Sequence, residues 1–123
     1  MMMETTMGRL TTHVLDTMHG RPAQGMSIEL FLVRGDSRTR LKQVHTNSDG
    51  RTGEPLLQGA DFAAGIYELT FHAGDYFAAQ GIELPSPRFT DQVTVRFGVA
   101  DASENYHVPL LVTPWAWSTY RGS

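Results

Sequence analysis

Apolar and polar residues alternate along most of this chain, and this period of two constrains the fold more than any other feature. Segment 93–99 shows it most clearly, since Val, Val, Phe and Val alternate there with Thr, Arg and Gly. Segments 26–33 and 66–71 carry the same kind of pattern. Successive side chains of a strand point to opposite faces, so each segment is predicted to be a strand with at least one buried face. Shorter runs predict further strands at 10–15, 41–46, 106–112 and 115–120.

Turn-forming residues separate the predicted strands. The strongest turn signal is 47–50, Asn-Ser-Asp-Gly, because Gly tolerates positive φ and Asp hydrogen-bonds to its own backbone. Only segment 75–80 has the composition of a helix, and Gly81 is positioned to end it. Many short strands with frequent turns and a single short helix predict an all-β fold, either a sandwich or a barrel.

The composition indicates a single globular domain. A length of 123 residues is typical of one domain, and 41% hydrophobic with 19% charged residues is ordinary for a globular protein. Residues 1–8 are expected to form a flexible N-terminus, because they are polar soon after the methionines and precede the first predicted strand. This leaves 9–123 as the domain.

Several partners and locations are disfavoured by composition. A net charge of -3 without any basic run argues against nucleic acid. No run approaches the roughly 20 apolar residues of a membrane span, so no membrane partner is expected. The chain has no cysteine, which excludes disulfides and cysteine-based metal sites. Its first residues lack the apolar stretch of a secretory signal, and a cytoplasmic location is therefore expected.

The five histidines are the main candidates for chemistry. None has the spacing of a metal-binding motif, so no metal site is predicted. His19 is expected in a solvated loop, and His45 and His72 on polar strand faces. His13 and His107 fall inside predicted strands, on faces shared with apolar or small residues. By periodicity alone each of these two is either a hydrogen-bonded structural histidine or a catalytic group.

Arg51 and the C-terminal tail are the other candidates. Arg51 follows the 47–50 turn and is either a solvated hairpin residue or a clamp for a carbonyl or anion, for which a planar guanidinium is well shaped. Trp115, Trp117 and Tyr120 lie close to the C-terminus, which suggests that the tail is docked. No nucleophile elbow and no glycine-rich phosphate loop is present. The residues alone therefore predict a β-sandwich with a possible His/Arg site.

Four motifs together resemble the 5-hydroxyisourate hydrolases of the transthyretin-like family. They are Leu-Thr-Thr-His-Val-Leu-Asp at 10–16, Thr-Asn-Ser-Asp-Gly-Arg at 46–51, Tyr-His-Val-Pro-Leu-Leu at 106–111 and the terminal Tyr-Arg-Gly-Ser at 120–123. The resemblance covers about 9–123. Transthyretin, the hormone carrier with the same fold, lacks this tail and this set of His and Arg residues.

The resemblance implies a fold and an assembly. The fold is a transthyretin-like β-sandwich of two four-stranded antiparallel sheets with one short helix. The assembly is a homotetramer, a dimer of dimers, with active sites at the dimer–dimer interface. A face that carries in-strand histidines would then be covered by a partner subunit. No cofactor and no metal is implied.

The resemblance also implies a substrate and roles for individual residues. The substrate is 5-hydroxyisourate, whose cyclic amide is hydrolysed in urate degradation. His13 and His107 would activate water and transfer protons, and the residues leave open which of them is the base. Arg51 would hold the substrate and stabilise developing negative charge. Tyr120 would contact the substrate, and Ser123 would supply a hydroxyl or the terminal carboxylate. The alternatives are a transthyretin-like small-molecule carrier without catalysis and a structural interaction domain.

Overall fold

Two β-sheets pack face to face in the computed structural model, which describes residues 7–123. The strands are β1 (Arg9–Asp16), β2 (Arg21–Pro22), β3 (Ser27–Arg34), β4 (Ser37–His45), β5 (Leu57–Gln58), β6 (Gly65–His72), β7 (Gln92–Val99), β8 (Tyr106–Val112) and β9 (Trp117–Thr119). One α-helix, α1 (Ala73–Ala79), follows β6, and one turn of 3₁₀-helix spans Gly59–Asp61. The predicted sandwich with a single short α-helix is confirmed.

The first sheet differs from the prediction in strand direction. Its order is β2-β1-β8-β9, and β5 also pairs with β1. β1 and β8 run parallel, whereas the prediction was a fully antiparallel sheet. A parallel pair needs a long crossover connection, and here the chain builds the whole second sheet between β1 and β8. Because β2 and β5 pair with opposite ends of β1, the sheet is four strands wide. The second sheet, β4-β3-β6-β7, is antiparallel throughout.

The hydrophobic core lies between the inner faces of the two sheets. Its most deeply buried side chains, each no more than 1% exposed, include Leu10, Val14, Met26, Ile28, Leu30, Leu69, Phe71 and Leu110. Burial of each large side chain contributes about 1.5–3 kcal/mol. The alternation read from the sequence therefore marks the face of each strand that points into this core.

The outer face of the second sheet is covered by its own side chains. Glu68 is only 7% exposed and accepts hydrogen bonds from Arg38 at 3.0 Å and Arg96 at 2.9 Å. The Arg38 guanidinium also lies 4.1 Å from the centre of the Phe31 ring. Charged groups and aliphatic stems thus close this face within one chain. The outer face of the first sheet has no comparable cover among residues 7–123.

The N-terminal prediction is tested only in part. Residues 1–6 of the predicted flexible segment lie outside the described residues. Gly8 is buried, and its N–H donates to the Ala102 carbonyl at 3.0 Å. The backbone is therefore held from Gly8 onward, and the domain boundary at residue 9 stays a prediction. No helix within 7–123 has the length and apolar character needed to cross a membrane.

Candidate active site

His13 and His107 lie on the outer face of the first sheet. The even-numbered residues of β1 are buried in the core, whereas its odd-numbered residues point outward. In the parallel ladder Thr11 lies beside His107, and His13 lies beside Pro109. The two histidines are therefore diagonal neighbours on one face, which also carries Leu111. Each histidine shares its face with small or apolar residues, as predicted. That the two lie on the same face results from the pairing of strands about 95 residues apart in the sequence.

A docked turn brings Arg51 to this face. The Gly50 carbonyl accepts a hydrogen bond from the Val14 N–H at 2.8 Å, on the edge of β1 that β2 and β5 leave open. Within the turn, the Asn47 side-chain oxygen accepts from the N–H groups of Asp49 at 2.9 Å and Arg51 at 3.1 Å. The turn is thus fixed internally and attached to β1. Arg51 is exposed within one chain, as the solvated interpretation expects, but the turn is not a hairpin, because no strand follows it directly.

Gly50 is required at this turn for two reasons. Its φ is +75°, in the region that L side chains rarely adopt. A Cβ at this position would lie 2.4 Å from the Val14 carbonyl oxygen and 3.3 Å from Cδ2 of His13. Any other residue would push the turn away from β1, so Gly50 also keeps the turn that carries Arg51 against β1.

The C-terminal tail continues the register of β9 along β8. Leu111 lies opposite Ser118, and in the same register His107 lies opposite Gly122. The Gly122 N–H donates to the His107 carbonyl at 2.7 Å, and the His107 N–H donates to the Gly122 carbonyl at 3.3 Å. The tail backbone is therefore docked beside His107, as the aromatic tail suggested.

Pro109 explains why β9 ends before the tail does. The register that joins Leu111 to Ser118 sets Tyr120 opposite Pro109. Proline has no N–H, so one of the two hydrogen bonds expected between these residues cannot form. The Thr119 hydroxyl instead donates to the Pro109 carbonyl at 2.7 Å. The predicted strand at 115–120 is shortened to Trp117–Thr119 for this reason and because residues 113–116 form a turn.

Arg121 anchors the tail on the side of the sheet away from the histidines. Its guanidinium lies 4.0 Å from the centre of the Tyr106 ring. It also donates to the Glu104 carboxylate at 2.9 Å and to the Asn105 carbonyl at 3.0 Å. Because neighbouring residues of an extended chain point to opposite faces, this anchor directs Tyr120 and Gly122 toward the histidine face.

His107 is held at one ring nitrogen and lies in a positively charged environment. Its Nδ1 is 2.8 Å from the Thr11 hydroxyl oxygen. Partial burial lowers the pKa of His107 below its usual value, and the positive charges of Arg51 and His13 lower the pKa further. A neutral imidazole is thus favoured near neutral pH, which is the form that can accept a proton.

The remaining predicted site residues are exposed within one chain. Tyr120 is 61% exposed, and the Ser123 side chain makes no hydrogen bond to any other residue in 7–123. Trp115 and Trp117 are 60% and 45% exposed. The tail backbone is therefore docked, while its aromatic rings stay largely exposed. A single chain brings together His13, His107, Arg51 and the tail, and it leaves this face open to solvent.

Two residues of the site, Thr11 and Gly122, lie within the quoted motifs, but the sequence assigns neither of them a role. Thr11 contacts His107 only because β1 and β8 pair in this register. Gly122 lies against the His107 ring, and a Cβ there would be 2.9 Å from Cδ2. The alternation around His13 places Thr11 on the same face, but nothing in the sequence identifies its partner. Within 7–123 no group of three or more His, Cys, Asp or Glu could hold a metal ion, and the absence of a catalytic metal stays a prediction.

Comparison with known sequences supports one family. The sequence model described as HIUase/Transthyretin family matches residues 10–122. The chain is 60% identical over 116 residues to 5-hydroxyisourate hydrolase 2 of Rhizobium meliloti, covering 94% of this chain and 97% of that protein. It is 56% identical over 117 residues to 5-hydroxyisourate hydrolase of Pseudomonas aeruginosa, covering 95% and 93%.

Solved structures agree with the sequence comparison. The chain matches (S)-allantoin synthase with a TM-score of 0.91 and 44% identity, over 97% of this chain but 45% of that one. It matches 5-hydroxyisourate hydrolase of Klebsiella pneumoniae with a TM-score of 0.77 and 34% identity, over 95% and 100%. Sea bream transthyretin in complex with thyroxine gives 0.82 at 24% identity, over 93% and 94%, which is a likeness of fold alone. The resemblance read from the four motifs is confirmed, and the chain belongs to the HIUase/Transthyretin family.

Proposed function

We propose that this protein hydrolyses 5-hydroxyisourate to 2-oxo-4-hydroxy-4-carboxy-5-ureidoimidazoline in urate degradation. The observation that carries the proposal is the meeting of His13, His107, Arg51 and the tail backbone on one sheet face. Relatives at 60% and 56% identity over nearly the whole chain bear the name of this activity.

The proposed chemistry uses side chains alone. Hydrolysis of a cyclic amide needs an activated water, stabilisation of negative charge on the carbonyl oxygen, and a proton for the leaving nitrogen. His13 and His107 are the candidate acid and base, because imidazole exchanges protons near neutral pH. Arg51 is the candidate for binding the substrate oxygens, since its guanidinium offers several donors in one plane.

The tail supplies the other proposed contacts with substrate. The register of the tail supports a position for Tyr120 beside Pro109, on the same face as His107. Ser123 follows Gly122 directly, so its hydroxyl or the terminal carboxylate is within one residue of the His107 backbone. Tyr120 is the proposed wall of the substrate site, and Ser123 the proposed relay group.

We further propose a homotetramer, a dimer of dimers with the sites at the dimer–dimer interface. Three features support it. The histidine face is open to solvent in one chain. Phe89 and Trp115 are 74% and 60% exposed and contact each other, with ring centres 6.0 Å apart. Within the described residues each sheet has an edge strand at both ends, β4 and β7 in one sheet, and β9 and the β2/β5 edge in the other, which leaves sheet edges for a second copy.

A direct assay tests the activity. Freshly generated 5-hydroxyisourate is added to the protein, and its ultraviolet absorbance is followed against the spontaneous decay. We expect rapid decay with the wild type and a rate roughly 10²–10⁴ lower with His107→Asn, as for loss of an acid–base group. No acceleration by the wild type, together with tight binding of thyroxine, would instead favour the carrier alternative.

A cytoplasmic location also stays a proposal, and fractionation of cells against a cytoplasmic marker tests it.

A further inference from the structure

The hydroxyl of Thr11 is the single side-chain partner of His107 among the described residues. The Thr11 oxygen lies 2.8 Å from Nδ1 of His107, and it makes no other hydrogen bond within 7–123. The two residues are side by side in the parallel ladder. A side chain as short as threonine reaches the ring nitrogen nearer to the backbone, which is Nδ1. Nε2, at the far end of the ring, is left without a partner in this part of the chain.

We propose that Thr11 is a positioning residue for His107, holding Nδ1 in every protonation state so that Nε2 is presented to the substrate. A hydroxyl both donates and accepts hydrogen bonds. It can accept from the Nδ1–H of an imidazolium and donate to a bare Nδ1, so the ring need not rotate when Nε2 gains or loses a proton. This inference rests on the proposed function only for its effect on turnover.

The choice of a hydroxyl has an electrostatic consequence. A carboxylate at the same place would stabilise the imidazolium and raise the pKa of His107. Threonine adds no charge, and the groups that face the ring are positive or neutral: Arg51 from the docked turn and His13 from β1. Gly122, which contacts the ring, is followed by Ser123, whose terminal carboxylate is the acidic group nearest to it along the tail. Thr11 thus fixes the direction of the ring while favouring its charged form much less than a carboxylate would.

The test compares three variants at position 11 with one control. Thr11→Val keeps the shape and removes the hydroxyl, Thr11→Ser keeps the hydroxyl, and Thr11→Asp replaces it with a carboxylate. Thr39→Val is the matched control, because Thr39 is exposed on β4 of the other sheet. The full-length assembled protein is labelled with ¹⁵N and ¹³C in histidine, and His107→Asn identifies the His107 resonances.

The ring nitrogens report the contact independently of activity. A hydrogen bond to a charged partner is roughly twice as strong as a neutral one. Loss of the hydroxyl therefore destabilises the imidazolium form of His107 more than its neutral form. We therefore expect Thr11→Val to shift the Nδ1 resonance and lower the pKa of His107, and Thr11→Asp to raise that pKa. Thr11→Ser and Thr39→Val should titrate like the wild type.

Turnover reports the consequence. We expect Thr11→Val to lower kcat by about 10- to 100-fold with little change in KM, and the acidic limb of its pH profile to move to lower pH. Thr11→Ser should restore both. If Thr11→Val loses activity while the pKa and Nδ1 resonance of His107 are unchanged, the role of Thr11 is structural and the proposal is overturned. If the resonances change as expected but the wild type does not hydrolyse 5-hydroxyisourate, the contact stands and the proposed function fails.

Discussion

Close contacts around His107 define the site at the scale of single residues. Gly122 packs against the imidazole ring, where a Cβ would lie 2.9 Å from Cδ2 and 3.1 Å from Cβ of His107. The φ of Gly122 is not in the positive region, so glycine is needed there for space and not for backbone conformation. The ring is thus confined by Thr11 at one nitrogen and by the tail backbone at its side.

Replacement of this glycine should disturb catalysis without unfolding the protein. In Gly122→Ala the new methyl group must displace the His107 ring, and misplacement of a reacting group by about 1 Å costs on the order of 100-fold in rate. We expect kcat to fall by about 10- to 100-fold. Gly98→Ala is the control, because nothing lies within 4 Å of a Cβ there. Equal activity of the two variants would remove the ring contact from the mechanism.

The charge of Arg51 should be visible in the titration of His107. The positive guanidinium disfavours the imidazolium, so its removal in Arg51→Met should raise the pKa of His107. On acidification, His107 of this variant would then become protonated at a higher pH than His107 of the wild type. Histidine NMR titration measures this without substrate. Arg34→Met, at the exposed end of β3, serves as control. An unchanged pKa in Arg51→Met would place Arg51 too far from the ring to act on it.

At the scale of elements, two side-chain clusters hold the site in place. One is the Arg121 anchor of the tail. The other joins α1 to β1: Asp16 is fully buried and accepts from the Tyr76 hydroxyl at 2.8 Å and from His19 Nδ1 at 2.6 Å. His19 lies in an exposed turn, as expected, and its ring is also paired with Asp16. Burial alone would raise the pKa of Asp16, but the hydrogen bonds from His19 and Tyr76 bring it below its usual value.

Release of the tail should reduce activity more than stability. Arg121→Ala removes the stack on Tyr106 and both hydrogen bonds of the guanidinium. We expect a folded protein whose kcat is at least about 10-fold lower, because Gly122 no longer confines His107. Glu104→Gln is the milder comparison, since an exposed ion pair contributes about 0–1 kcal/mol. Circular dichroism measures folding and the hydrolysis rate measures activity on the same samples. Normal turnover of Arg121→Ala would contradict the role of Arg121 in holding the tail beside His107.

The link between α1 and β1 should contribute to stability. Tyr76→Phe leaves the buried Asp16 carboxylate one hydrogen bond short, which costs about 1–3 kcal/mol. The pKa of Asp16 is lower in the folded state than its usual value of about 4, so the ionised carboxylate stabilises the fold above that pH. This stabilisation is lost as the pH falls through the lower pKa of the folded state. Urea denaturation at fixed protein concentration should therefore show a destabilised variant at pH 7. Midpoints that coincide with the wild type would contradict this account.

At the scale of the whole molecule, the two outer sheet faces are unlike. The second sheet covers its own outer face through Glu68 and two arginines. The first sheet leaves the half-buried His13 and His107 on its outer face, with the exposed Tyr120 beside them by register. We therefore propose that a second copy covers this face and closes the site.

Assembly and activity should therefore be linked. We expect sedimentation near four times 13.7 kDa, with tryptophan emission typical of shielded Trp115 and Trp117. Dilution to the monomer should shift the emission to longer wavelength and abolish hydrolysis together. A fully active monomer would contradict a site between subunits.

Local pattern determined much of this protein. The alternation at 93–99 and its equivalents predicted the strands and their buried faces, because the period of a strand is a property of consecutive residues. The 47–50 turn was predicted for the same reason, since positive φ at Gly50 is a local requirement. The motifs at His13, Arg51 and His107 pointed to the family before any contact was known.

Only the tertiary structure decided which of these residues meet. The parallel pairing of β1 with β8 joins segments about 95 residues apart, and strand pairing over such distances depends on the packing of the whole sandwich. That pairing sets Thr11 beside His107 and lets the tail, paired with β8, reach the histidine ring. The opposite edge of β1, between β2 and β5, receives Gly50. The sequence determined the strands and the candidate residues, whereas the register between distant strands brought those residues together in one site.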